Sequence, residues 1–275
     1  MKINLPFSYL FAFLFTIFSY ACGFFTLPRT VAKTPLKWFN VLLPFFGYFF
    51  GMILVPLAII YIPQSDFGES LAFLVSGLLP FIFVISYYGS LNKTLKKSIF
   101  WNLPTRPRKK IYSALLTTAV YSLWSLIILL PLIGILGDMI QKIMHTMFTK
   151  IDFREQHVIT MFRRTTEAFR TSQTILTIII TTVLVIPFTE ELLFRGFLQS
   201  WLRKKGRTFA IITTSLIFAG LHFSPSQADG NFILIPSLFL VSLFLGLVYE
   251  KEKNLLAPYL LHALFNLSHA LMIII

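Results

Sequence analysis

A single cysteine, Cys22, stands in a chain of 275 residues, which rules out an intrachain disulfide framework. Charge is scarce too. Asp, Glu, Lys and Arg make up 13% of the residues, about half the share usual in a soluble domain. Acids are the rarer sign, 11 against 24 bases, and the formal net charge is +13. No internal repeat and no low-complexity tail breaks the chain, so one membrane domain is the simplest division. What fills it is apolar: 56% hydrophobic and 16% aromatic residues, with a mean hydropathy of +0.76. That is the composition of a polytopic membrane protein. Its basic excess does not call for nucleic acid, because Lys and Arg collect in the cytoplasmic loops of membrane proteins.

Eight apolar runs follow one another, at 5–27, 38–62, 70–88, 111–135, 174–201, 208–223, 232–249 and 255–275. The first is longer than the apolar core of a signal peptide and reads as a span. Loops after the first, third, fifth and seventh runs carry sixteen of the 24 Lys and Arg. The positive-inside rule puts those loops in the cytoplasm and both termini outside. Segment 138–172 differs, since Met139, Ile143, Met147 and Ile151 recur at helical spacing among six bases. It reads as an amphipathic stretch in the membrane interface or as a solvated helical loop. The expected fold is all-α, with about eight transmembrane helices enclosing an intramembrane cavity. Residues 1–173 form its N-terminal part and 174–275 its core.

The fifth run holds Thr189-Glu190-Glu191-Leu192-Leu193-Phe194-Arg195. Two carboxylates and a guanidinium thus sit at membrane depth, where ionisable residues are costly and mark function by default. Glu191 and Arg195 are i,i+4 and share a helix face. Glu190 is rotated by about 100° from Glu191 and faces elsewhere. Pro187 removes a backbone hydrogen bond just before them and bends the helix. The sixth run brings Phe218 and His222, and the eighth His262 and Asn266, each pair again i,i+4. Distances from the cytoplasmic ends, at about 1.5 Å per residue, place Glu190, His222 and His262 in the middle of the membrane.

Such a set has chemical uses. A carboxylate in an apolar cavity is a stronger proton acceptor than one in water and can activate a water molecule. A histidine and an asparagine can donate to the oxyanion of a tetrahedral intermediate. Glu190, His222 and His262 are also the donor types of a zinc site with a position open for water. Blander uses compete: Glu191 and Arg195 as a buried helix-stabilising pair, Glu190 as a buried hydrogen bonder, the histidines as satisfied core residues. A proton-coupled transporter also needs intramembrane Glu, Arg and His, but paired broken helices in two halves would be expected of it. Here the polar residues gather in one half. A non-catalytic scaffold is a further alternative.

Glu190-Glu191-x-x-x-Arg195, Phe218-x-x-x-His222 and His262-x-x-x-Asn266, in that order on late spans, resemble the motifs of the CPBP intramembrane proteases. That family takes in the CAAX prenyl endopeptidases and the bacterial Abi proteins linked to bacteriocin processing and self-immunity. The resemblance covers residues 174–275. It implies an endopeptidase acting on a membrane-associated or lipidated protein or peptide, within an integral membrane protein, as in a bacterial cytoplasmic membrane. It further implies a catalytic set of Glu190, His222, His262 and Asn266. Glu190 and His222 would activate water, and His262 and Asn266 would form the oxyanion hole. Glu191, Arg195 and Phe218 would support them. A metal, if used, would sit on Glu190, His222 and His262; the asparagine suits an oxyanion hole better and favours a metal-independent mechanism. Besides the substrate, membrane lipids are the expected partners. A self-immunity protein remains the non-enzymatic alternative within the family.

Overall fold

The computed structural model describes residues 5–27, 34–63, 65–99, 107–148, 151, 163 and 172–274. Among them the chain is all-α. Helix α1 is Leu5–Ala21, α2 Trp38–Ile59, α3 Asp66–Ser90 and α4 the short Lys93–Ile99. Helix α5 runs over 107–147 through one wide π-helical stretch, Ser125–Leu129. Helix α6 covers 172–202 and widens twice, at Ile180–Val185 and Leu192–Gln199. Then come α7 at Arg207–Gly220, α8 at Asn231–Glu252 and α9 at Leu256–Ile274.

Every apolar run of the sequence has a helix. Among the described residues five stretches are long and apolar enough to cross a membrane: Trp38–Ile59, Ser70–Ser90, Leu115–Met147, Ile175–Lys205 and Asn231–Glu252. Helix α7, at 14 residues, is about 21 Å long and falls short of a bilayer core of roughly 30 Å. Helix α5 continues to Met147, so residues 138–147 of the amphipathic segment prolong the fourth span. Most of its remainder lies outside the described residues.

Local chemistry sets the helix ends. Ser65 caps α3 by accepting from the Gly68 amide at 3.1 Å, and Asn92 caps α4 through the Leu95 amide at 2.9 Å. Gly206, at φ +112°, makes the turn from α6 to α7 in a backbone region that L side chains avoid.

Helix α6 is the centre of the fold. Leu192, Leu193, Phe194 and Phe197 are buried against Leu36, Val84, Ile99, Phe218 and Tyr249. Gly196 admits Ile99, since a Cβ there would stand 2.7 Å from its side chain. The N-terminal helices pack on the same helix through ring contacts: Phe45 with Phe194 at 5.3 Å, Phe81 with Phe188 at 6.0 Å and Tyr87 with Phe197 at 5.9 Å. A second apolar cluster joins α5, α8 and α9 through Tyr121, Phe244 and Phe265. Helix α9 lies between that cluster and α6, and its His262 and Asn266 reach α6.

Candidate active site

The two glutamates face different partners. Glu191 and Arg195 are both fully buried and pair at 3.1 Å, one turn apart as their spacing predicts. Glu191 has a second partner that the spacing could not name: its Oε1 also lies 2.8 Å from His262 Nδ1. Glu190 points the other way. Its Oε2 is 3.7 Å from His262 Nε2, and its Oε1 is 3.9 Å from His222 Nε2. His262 therefore stands between the two carboxylates, one ring nitrogen toward each.

His222 is not inside a helix, contrary to the sequence expectation of a span reaching 223. Helix α7 ends at Gly220, and His222 sits in the turn beyond it. Its Nδ1 still reaches back to the Phe218 carbonyl at 2.7 Å, and the two rings lie 4.6 Å apart. That carbonyl can only accept, so Nδ1 carries a proton, and Nε2 faces Glu190. Phe218 touches the rest of the site as well: its ring lies 6.2 Å from that of His262 and 5.1 Å from the Arg195 guanidinium. One phenylalanine thus packs against both imidazoles and a buried cation.

Asn266 is anchored by a consequence of Pro187. In the π-helical stretch Ile180–Val185 a carbonyl bonds to the amide five residues on. For Thr182 that residue is Pro187, which has no N–H. The Asn266 amide supplies the missing donor, to the Thr182 carbonyl at 2.9 Å. The same proline that perturbs α6 creates the acceptor that holds α9.

Arg195 ties α6 to α8, donating to the Ser242 carbonyl at 3.0 Å and its hydroxyl at 2.9 Å. Ser242 carries no sequence motif, and only tertiary structure shows its part. Glu250 is a correction of another kind. The sequence puts it in a turn, yet it is buried within α8 and pairs with Arg203 at 2.9 Å. His269 is exposed at the far end of α9, apart from this group.

The donor types of a zinc site are present, but their arrangement is not a ligand set. Among the described residues no three His, Cys, Asp or Glu side chains converge to hold a metal ion. Glu190 meets each imidazole with a different oxygen, and the other nitrogen of His262 is held by Glu191.

A buried carboxylate facing two imidazoles, 3.7 and 3.9 Å away, is separated from them by more than a hydrogen bond. At that spacing a bridging water is the natural link. His222, about one third exposed at its side chain, leaves a way in.

Residues 172–268 match the family model described as "Type II CAAX prenyl endopeptidase Rce1-like". A curated protein of Bacillus subtilis (strain 168), the uncharacterized protein YpbD, is 39% identical over 88 residues, 32% of this chain and 41% of that protein. The chain thus spans about two fifths of the length of that relative. No solved structure matches.

Proposed function

We propose, on the premise that residues 172–268 form a domain of the Rce1-like CAAX endopeptidase family, that this integral membrane protein is an intramembrane endopeptidase working by glutamate-activated water. The observation that carries this reading is the buried Glu190 carboxylate between the Nε2 atoms of His222 and His262. A water there gives one hydrogen to Glu190 and the other to the lone pair of His222 Nε2. Its oxygen attacks the carbonyl carbon of the scissile bond as Glu190 takes its proton. The intermediate carries an oxyanion. Nε2–H of a doubly protonated His262 and the second N–H of the Asn266 amide are the donors for it. Collapse breaks the C–N bond, and Glu190 returns its proton to the leaving amine. The products are a carboxylic acid and an amine, and no proton is left over.

In this reading Glu190 and Glu191 are carboxylates and Arg195 and His262 cations, so the group carries no net charge. Glu191 then holds the His262 ring, and Arg195 holds Glu191. The substrate in this reading is a membrane-associated or lipidated peptide, and the membrane a bacterial cytoplasmic one. Helices α2 and α3 pack against α6.

The test compares membranes bearing wild type with those bearing Glu190→Gln or His222→Ala, at equal protein level, by peptidomics of shortened membrane proteins. Fragments that vanish in both variants support proteolysis and identify a substrate. Fragments that persist in Glu190→Gln overturn the assigned base.

A further inference from the structure

Below Glu191, toward the basic turn, α6 and α8 are joined by more than the Arg195–Ser242 contact. Four residues on, Gln199 donates to the Gly246 carbonyl at 3.0 Å. Four further on, Arg203 donates to the Glu250 carboxylate at 2.9 Å. Each rung joins residues 47 apart, so the two helices run parallel and the rungs repeat once per turn. Gln199 also reaches Glu250 at 3.0 Å, which links the second rung to the third. Arg195, Gln199, Arg203, Ser242 and Glu250 are all buried. The gap at Gly246 is shaped to the ladder, because a Cβ there would stand 3.0 Å from Gln199 Oε1.

The ladder coincides with an unusual backbone. Leu192–Gln199 is π-helical, and such stretches are rare, strained and short. If the extra residue of the wide turn relaxed into an ordinary α-helix, everything before it would rotate by about 100° relative to everything after. Glu190 and Glu191 lie directly before it. The polar ladder resists such a shift, because each rung would leave a buried donor or charge unpaired.

From this we infer that Ser242, Gln199 and Glu250 are positioning residues: the α6–α8 ladder sets the rotational phase of α6 and so aims Glu190 and Glu191. Glu250 acts on His262 from about 12 Å further along α8 than Ser242. The inference deepens the protease reading but rests only on the geometry of α6, so it can be tested with or without turnover.

The experiment uses the full chain in nanodiscs with ¹⁵N-imidazole-labelled histidine, the His262 signals being assigned by their loss in His262→Gln. At one fixed pH the Nδ1 shift of His262 reports its hydrogen bond to Glu191. In Glu250→Gln we expect that signal to move or split, and to return in the Glu250→Gln/Arg203→Gln double variant, where both charges of the Arg203–Glu250 rung are removed together. If the single variant does not fold, Gln199→Met, which removes the middle rung without stranding a charge, takes its place with the same expectation. An unchanged His262 signal in a folded ladder variant overturns the inference. Where the substrate assay gives turnover, kcat should fall about tenfold with KM within about twofold, and the double variant should recover. A rise in KM alone would overturn the positioning role. Absence of turnover in wild type would count against the protease reading only, since the His262 signal still decides the ladder.

Discussion

Helices α2 and α6 are both apolar enough to cross a membrane, yet they solve different problems. In α2 only 11% of the hydrophobic window is buried, against 44% in α6. Phe46 of α2 is 71% exposed and faces where lipid tails would lie. Helix α6 buries Glu190, Glu191, Arg195 and Gln199, and the turn after it buries Arg203. The difference teaches what intramembrane polarity demands. A lipid-facing helix needs only apolar side chains, whereas a helix carrying charge needs partners for its charged groups on neighbouring helices. Helices α7, α8 and α9 supply them: Phe218, Ser242, Gly246, Glu250, His262 and Asn266.

The comparison breaks most sharply at Glu190. Glu190→Gln should lower peptide cleavage by about 10²- to 10⁴-fold, the range for a general base, while the protein accumulates normally. Cleavage in a purified reconstituted system at near wild-type rate would remove Glu190 from the mechanism. Next in size is the ion pair. Arg195→Met leaves Glu191 buried beside His262 without its cation and should cost about 3–5 kcal/mol, read as a lower unfolding midpoint in detergent. The Glu191→Gln/Arg195→Met double variant should regain much of that loss, because no net charge is then stranded. A double variant as unstable as the single one would show that the packing of Arg195 under Phe218, and not its charge, is what matters.

Much of this was legible in the sequence, because the signals are periodic. Apolar runs located the helices, and i,i+4 spacing placed Glu191 beside Arg195 and Phe218 beside His222. Period alone could not show that His262 spans both glutamates, since that depends on how α9 crosses α6. The ladder was missed for a related reason. Arg195, Gln199 and Arg203 recur every four residues, as do Ser242, Gly246 and Glu250, but a serine and a glycine in an apolar run are ordinary. The turn assigned to Glu250 ended α8 too early, because a charged residue next to Lys251 looks like a loop until Arg203 is found against it. The role of Pro187 was half visible: the missing N–H follows from the residue type, but its acceptor and the Asn266 that serves it required the π-helical register.

That last relation gives a smaller, paired expectation. Asn266→Ala removes the donor to the Thr182 carbonyl and should destabilise by about 1–3 kcal/mol, the cost of an unsatisfied buried group. Pro187→Ala restores a backbone N–H where the carbonyl can use it. The loss from Asn266→Ala should therefore be smaller in a Pro187→Ala background, measured as a double-mutant cycle on unfolding midpoints. Additive effects would show that the two residues are not coupled through Thr182.

The smallest effects fall on α2, where adjacent residues sharpen the contrast. Phe45 packs edge-on against Phe194 of α6 at 5.3 Å, while Phe46 points outward. Phe45→Leu should cost about 0.5–1.5 kcal/mol, the value of an aromatic pair beyond its area. Phe46→Leu should stay within about 0.5 kcal/mol, because lipid tails are as apolar as leucine and offer no preference between the two. Both are read from unfolding midpoints in the same detergent. Equal losses at the two positions would mean that the outward face of α2 is covered by protein and not by lipid. The division between a lipid-facing α2 and a protein-buried α6 would then have to be redrawn.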